Sequence, residues 1–294
     1  MRTRRITPWL YVLPALIVFI ALAVVPVVWT FATSLTRWDG LTDKQFVGLH
    51  NYIEMFQDDV FLRAVGNNLL FMVLGTLVQV VIGMVMAVLM LSITKFRNII
   101  RVAYFIPCVI SSVAISQIFV KLLSVHPQGV VNALLGAVGL QGLQGAYLSD
   151  THITLIIVTL VDAYKFCAIY MIIYYSALVA IDQEVLEAAT LDGCNWWQQL
   201  VSIKFPLIRA VVMVTVVMLV SGCLKGFDVS YVLTSGGPGA SSELVATYMY
   251  KTIFNSSDFG YGSAMGVFLT VECLVIVAIV RKVFKIDTGA EETA

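Results

Sequence analysis

Asp162 and Lys165 stand three residues apart inside an apolar run over residues 153–180. On a helix, that spacing puts both on one face. Charges surrounded by hydrocarbon are costly: they face a bundle interior or a water-filled path, or they compensate each other near one end of the run. Both readings are open for this pair, because Asp162 lies only nine positions past Ile153. A second interruption, Lys225, Gly226 and Asp228, sits in the run 208–232, and Glu272 sits in the run 264–284. In the run 101–123, Pro107 is followed by Ser111, Ser112 and Ser116, small groups that allow close helix packing or line a cavity. These groups suit the passage of a polar solute rather than bond making. No nucleophile–base set is present, and there is no GxxxxGK(S/T) phosphate loop. GGPG at 236–239 reads as a tight turn, and His50, His126 and His152 are isolated. The five cysteines are scattered, with no CxxC, as small buried hydrophobes would be.

The window 187–206, EAATLDGCNWWQQLVSIKFP, is one of the few polar stretches. Glu187, Ala188 and Ala189 are good helix formers. Asp192-Gly193 reads as a turn or cap, residues 194–205 resume a helical pattern, and Pro206 sits where the next helix would begin. Such a stretch is either an ordinary loop between buried helices or a short helical hairpin at a membrane surface, offered to a partner.

The elements that must position these residues follow from composition. Apolar residues make up 60% of the 294 and charged residues 12%, about half the share that covers a soluble domain. The expected class is therefore an all-α membrane protein. Formal net charge is zero, so nothing points to nucleic acid. Six apolar runs are long enough to span: about 9–35, 67–91, 101–123, 153–180, 208–232 and 264–284. The first follows Arg2, Arg4 and Arg5 and is too long for a signal-peptide core. A short amphipathic helix is expected at the end of 36–66, and another at about 129–135. With the N-terminus inside, eleven Lys and Arg fall on inner segments, Lys285 among them, against four on outer segments. That bias predicts six crossings with both termini cytoplasmic, the 187–206 window inside and the 235–239 turn outside.

The window resembles the EAA loop shared by permease subunits of bacterial type I ABC importers: EAA, two residues, DGA, five residues, F, two residues, I, one residue, LP. This chain supplies Glu187-Ala188-Ala189, Asp192-Gly193-Cys194, Leu200, Ile203, Phe205 and Pro206 at matching spacing. Cys194, Leu200 and Phe205 depart from the pattern but stay apolar. FVGLHNY at 46–52, Gly129 to Asn132 followed by ALL, FDVSYVLTSGGPG at 227–239 and Asp258-Phe259-Gly260-Tyr261-Gly262 look like the carbohydrate-uptake branch related to the maltose and glycerol-3-phosphate permeases. The similarity covers nearly the whole chain.

The resemblance implies a single six-helix permease domain over 1–294 in the bacterial cytoplasmic membrane, not itself an enzyme. It implies a coupling loop at 184–206 that docks the ATPase through Glu187, Ala188, Ala189, Asp192, Gly193 and Pro206. It also implies a second, paralogous permease, two ATP-binding cassette subunits that carry the ATP and Mg, an extracytoplasmic solute-binding protein, and no cofactor on this chain. A sugar would pass near mid-membrane, with Ser112, Gln117, Asp162, Tyr164, Lys165, Tyr170, Lys225 and Asp228 as pathway candidates. Each tyrosine could equally anchor or pack. Other readings are a permease for glycerol-3-phosphate or another small polar solute, a membrane scaffold or sensor without transport, and a stand-alone carrier using Glu272 and the Asp162/Lys165 pair.

Overall fold

The computed structural model describes residues 7–93 and 95–284. Arg2, Arg4, Arg5 and Lys285, part of the charge bias, lie outside the described residues. Helix α1 (Thr7–Phe19) passes through a π turn (Ile20–Val24) into α2 (Val25–Ser34), and Pro26, which has no N–H to bond the preceding turn, is the second residue after the π turn. Two short strands, β1 (Thr36–Arg37) and β2 (Gln45–Phe46), pair antiparallel with Thr36 opposite Phe46. After α3 (His50–Met55), helix α4 (Asp59–Ser92) begins well ahead of the expected start at 67. Its 34 residues reach about 51 Å at 1.5 Å per residue, beyond a hydrocarbon core of roughly 30 Å.

Two expected spans are not single helices. The run 101–123 forms α5 (Arg97–Val109) and α6 (Ser112–Leu122), bent by 94°. Ile110 and Ser111 between them are extended, with ψ of 140° and 139°. α7 (Val130–Ala137), α8 (Thr154–Val179), α9 (Gln183–Leu191) and α10 (Trp196–Gln199) follow. A π turn (Leu200–Lys204) and α11 (Phe205–Leu207) lead to α12 (Arg209–Leu224), bent by 63° from the segment Trp196–Leu207. The run 208–232 is interrupted after Leu224, and α13 (Asp228–Thr234) resumes beyond Lys225, Gly226 and Phe227. α14 (Val245–Phe254) and α15 (Phe259–Val283) complete the chain. Among the described residues, four helices are long and apolar enough to cross a membrane, or up to six if each bent pair is one crossing.

The chain divides into two compact units. One comprises the described residues up to Leu62 with Tyr248–Val271. Its polar groups are well used. Asn51, buried in the FVGLHNY stretch, donates to the carbonyls of Ser34 at 2.8 Å and Thr36 at 2.9 Å. Asp58 accepts from Tyr248 Oη at 2.6 Å, Tyr261 Oη at 2.8 Å and the backbone N–H of Val60 at 2.8 Å. Burial opposes the charged form of Asp58, but these donors and the N–H of Phe61 outweigh it, so the carboxyl sits below its ordinary range. Phe56, Phe61 and Phe268 pack edge to face around the start of α4. Gly260 is forced by close approach: a Cβ there would lie 2.1 Å from the carbonyl oxygen of Thr36.

The second unit comprises Arg63–Thr247 and the described residues from Glu272 onward. Lipid is as apolar as a leucine side chain, so close packing and hydrogen bonds hold such helices together. Gly83 brings α4 against α8; a Cβ there would meet Tyr170 Cβ at 3.1 Å and Met171 N at 3.2 Å. Ala87, Met90, Met171, Tyr174, Leu178 and Ile208 form one core, and Tyr174 Oη shares a 2.8 Å hydrogen bond with Thr215 Oγ1. Phe71, Ile115, Val158, Cys223, Val229 and Leu244 belong to another. Asn132 ties its loop together, donating to Ser124 O and Gly145 O and accepting from Gly145 N–H.

Candidate functional site: a cavity at two helix breaks and a capped hairpin

Both helix breaks border one cavity of about 400 Å³. α4 contributes Phe71 and Gln79, and Ser112 comes from the first turn of α6, just past the 94° bend. α8 supplies Asp162, Phe166, Ile169 and Tyr170, while the end of α12 and the segment after it supply Cys223, Lys225, Gly226, Phe227 and Asp228. Irregular backbone within a membrane is tolerated where it is buried in protein or lines a cavity. The break after Leu224 is pinned by Asn68, whose Nδ2 donates to Leu224 O at 3.2 Å and to Glu272 Oε2 at 3.4 Å. Gly226 permits the turn at close quarters, since a Cβ would lie 2.9 Å from the Phe71 ring.

Five of the eight pathway candidates line this cavity: Ser112, Asp162, Tyr170, Lys225 and Asp228. Three do not. Lys165 is 5% exposed; its Nζ donates to Ser112 Oγ at 2.5 Å and lies 4.8 Å from the Phe166 ring centre. Among the described residues no ion pair joins it to Asp162. The shared face inferred from the i,i+3 spacing thus does not bring the charges into contact. Tyr164 is 48% exposed, packs edge on against Phe119 at 5.5 Å and borders a separate apolar cavity with Met86, Tyr104 and Cys167. Gln117 is exposed on α6. Phe166 was readable in the sequence, because 162, 166 and 170 recur at helical spacing on one face. Gln79 carried the signal of a lone amide in an apolar run. Phe71 and Phe227 carried none that distinguishes them from packing residues.

The groups on the cavity wall are hydrogen-bonding and aromatic rather than catalytic. Asp162 and Asp228 make no hydrogen bond or ion pair among the described residues. Ser112 Oγ already accepts from Lys165, and Gln79 Nε2 points to Cys223 Sγ at 3.9 Å. Among the described residues, no group of three or more His, Cys, Asp or Glu could hold a metal ion.

The second candidate site is the hairpin of α9 and α10. α9 ends with the backbone N–H of Cys194 donating to Ala189 O at 2.9 Å and that of Gly193 to Thr190 O at 3.1 Å, the paired bonds of a Schellman cap. The cap requires the left-handed φ of +84° at Gly193. No atom lies within 4 Å of a Cβ at that position, so backbone conformation alone selects glycine. α10 opens with a capping box: Asn195 Oδ1 accepts from Gln198 N–H at 2.9 Å, and Gln198 Oε1 accepts from Asn195 N–H at 2.8 Å. Gln199 Nε2 donates to Thr190 Oγ1 at 2.9 Å, closing the hairpin. Glu187, Ala188, Asp192 and Pro206 are exposed and Ala189 is buried. Leu191, Trp196 and Trp197 are also exposed, at 89%, 51% and 63%.

Residues 79–285 match the family described as binding-protein-dependent transport system inner membrane component. The chain is 34% identical to the probable ABC transporter permease protein YurN of Bacillus subtilis, covering 98% of each chain. It is 29% identical to the lactose transport system permease protein LacF of Rhizobium radiobacter, over 91% of this chain and 90% of that one. In three dimensions it superposes on a chain of a bacterial alginate ABC transporter in complex with an alginate pentasaccharide-bound periplasmic protein, with a TM-score of 0.82, 24% identity and coverage of 93% and 92%. That likeness shows a common fold. The chain therefore belongs to the binding-protein-dependent transport system inner membrane components, the multi-pass permease subunits of ABC transporters.

Proposed function

We propose that this chain is one half of the translocation pathway of an ATP-driven, binding-protein-dependent sugar importer. It pairs with a second, paralogous permease, crosses the membrane six times with both termini cytoplasmic, and docks an ATPase subunit through residues 184–206. ATP and Mg belong to the ATPase subunits, and this chain supplies the mechanical element. The observation that carries the reading is the coincidence of a polar, aromatic cavity with the 94° bend between α5 and α6 and with the interruption between α12 and α13, within a chain of this family. Broken helices around a central site are how membrane carriers expose polar groups to a solute. The hairpin adds support: its backbone is capped from within, which leaves Ala188, Leu191 and the two tryptophans exposed to a partner, beside a Glu187 carboxylate that Gln183 Nε2 holds at 2.9 Å. A sugar is favoured because the lactose permease is a relative over nearly its full length and because Phe166 and Tyr170 place aromatic rings on the cavity wall. The periplasmic protein seen with the alginate transporter supports an external delivery partner.

The test is reconstitution of the chain with its paralogous permease, its ATPase and its binding protein in proteoliposomes. Labelled sugar should accumulate only with internal ATP and external binding protein. Uptake by the chain alone under an ion gradient would establish a stand-alone carrier. A complex in which loaded binding protein neither stimulates ATP hydrolysis nor yields uptake would leave only a scaffold.

A further inference from the structure

We propose that the apolar cavity between α4, α5 and α8 binds one anionic phospholipid, whose acyl chain fills the cavity while Arg97 and Arg101 hold its phosphodiester. The inference goes beyond the importer reading and needs only that the chain lies in a membrane. The cavity, of about 740 Å³, shares no lining residue with the one at the helix breaks. Its wall runs from Ile82 along α4 to Ile93, from Ile100 to Pro107 on α5 and from Leu160 to Cys167 on α8. At 1.5 Å per residue the stretch from Ile82 to Ile93 reaches about 16 Å, half of a hydrocarbon core of roughly 30 Å and so the depth of one leaflet. Helix contacts in a membrane favour small side chains that let backbones approach. On this wall only Ala103 is of that kind, and Met86 and Met90 offer the flexible side chains that a disordered hydrocarbon chain needs.

The cations stand where the headgroup would. At about 100° per residue, Arg97 lies about 20° and Arg101 about 60° round from Tyr104, which is on the wall. Helical side chains lean toward the N-terminus, so both guanidinium groups are carried to the end of the cavity marked by Ile93. Arg97 Nε donates to Ile93 O at 2.7 Å, which fixes it at that rim, and among the described residues its two terminal nitrogens make no hydrogen bond. Arg101 and Lys95 are exposed. The sequence holds no Asp or Glu between Asp59 and Asp150, and among the described residues none of the three cations forms an ion pair. The first turn of α5 has neither an acidic residue nor a side-chain cap, so the positive end of its dipole adds to the excess. A phosphodiester supplies paired acceptor oxygens for guanidinium groups. Phosphatidylcholine cancels that charge with its own ammonium, whereas phosphatidylglycerol keeps it, and basic clusters at the ends of membrane helices attract such anionic headgroups.

The test uses the complex purified from membranes and placed in phosphatidylcholine nanodiscs. Phosphatidylglycerol and phosphatidylcholine bearing the same photoactivatable diazirine acyl chain are added separately at equal low fractions, and labelled residues are located by peptide mapping. Phosphatidylglycerol should label 82–93 and 100–107 about ten-fold more than phosphatidylcholine does, the order that two arginines beside an anionic headgroup supply. R97Q/R101Q should bring that ratio to about two-fold or less with phosphatidylcholine labelling unchanged. R101Q alone should lower it in part, and it carries the test if the double variant fails to assemble. Filling the cavity with A103W should remove the label of both lipids from these two segments and leave labelling elsewhere as it was. Equal labelling by the two lipids, or a ratio that the arginine substitutions do not change, would overturn the proposal. So would absence of label from both segments together with photocross-linking of Tyr104→p-benzoylphenylalanine to another subunit, which would make the cavity a permease interface. The importer reading is judged separately, on ATP-dependent, binding-protein-dependent uptake, which can succeed where this lipid site fails.

Discussion

The α9–α10 hairpin completes its hydrogen bonds within its own short stretch, whereas the cavity at the helix breaks draws its wall from five helices and, among the described residues, leaves two carboxylates without donors. In the hairpin, the Schellman cap, the capping box and the Gln199–Thr190 bond answer local donors with local acceptors. In the cavity, the side chains of Asp162, Lys225 and Asp228 make no hydrogen bond or ion pair among the described residues. A lever transmits force only if its own shape is fixed, whereas a solute site works only if some of its hydrogen bonding is left for the solute. The same chemistry, satisfied in one place and unsatisfied in the other, separates the proposed mechanical element from the proposed binding element.

Gly193→Pro gives the largest expected effect and strikes the hairpin where it is most determined. Proline fixes φ near −65°, whereas Gly193 sits at +84°, and it removes the N–H that bonds Thr190 O. Co-purification of the ATPase and ATP-dependent uptake should each fall more than about ten-fold, the equivalent of roughly 1.4 kcal/mol or more of docking free energy. Membrane insertion should be unchanged. Glu187→Arg should act in the same direction by reversing an exposed charge on the proposed docking face while leaving the caps intact. Unchanged assembly and uptake in both variants would remove the coupling role and, with it, the contrast between lever and site.

This contrast also explains what the sequence could reveal. The hairpin is a local object whose signals, Asp192-Gly193 and the EAA pattern, are contiguous, so both its shape and the family were legible. The cavity is legible only where a helix face repeats. At about 100° per residue, position 166 falls about 40° and position 170 about 80° to one side of Asp162, while Tyr164 lies about 200° round. Lys165, about 60° away, turns to Ser112 instead. Contacts between distant segments left no such trace. The approach of Gly83 to Tyr170 and the pinning of Leu224 O by Asn68 depend on how helices cross. The breaks in the runs 101–123 and 208–232 were hidden because hydropathy measures length and not continuity.

The Asp58 cluster separates locality from satisfaction, since it is assembled from distant segments like the cavity but fully bonded like the hairpin. Asp58→Asn should lower the thermal stability of the detergent-solubilised protein by roughly 2 kcal/mol, because the hydrogen bonds lost are to a charged group. The pH dependence has a definite sign. The folded carboxyl lies below its unfolded value near 3.9, so its contribution is complete above that value and disappears as pH falls through the folded one. Thermal unfolding followed from pH 6 to pH 3 should therefore show a steeper acid loss in the native protein than in the Asn variant. Parallel curves would show that the two tyrosines are held by packing alone. Gly83→Ala comes next: its Cβ at 3.1 Å from Tyr170 should cost about 1 kcal/mol and move an aromatic group of the cavity, with uptake changed and ATPase docking unchanged.

Asn195→Ala is the smallest expected effect and the finest probe of the hairpin. It removes the side-chain oxygen that accepts from Gln198 N–H but leaves the Schellman cap and the left-handed turn at Gly193 untouched. Loss of such a cap costs about 1 kcal/mol, and α10 is short enough for most of that to appear as fraying. Hydrogen exchange at residues 196–199 should speed up about five-fold, while exchange along α9 stays the same. If the hairpin acts as a rigid lever, uptake should fall by a smaller factor than exchange rises, since docking against the ATPase restores order at a modest cost in free energy. A drop in uptake as large as that of Gly193→Pro would mean that the rigidity of α10, rather than the turn, transmits the stroke. No drop at all would place transmission entirely in α9 and its glycine.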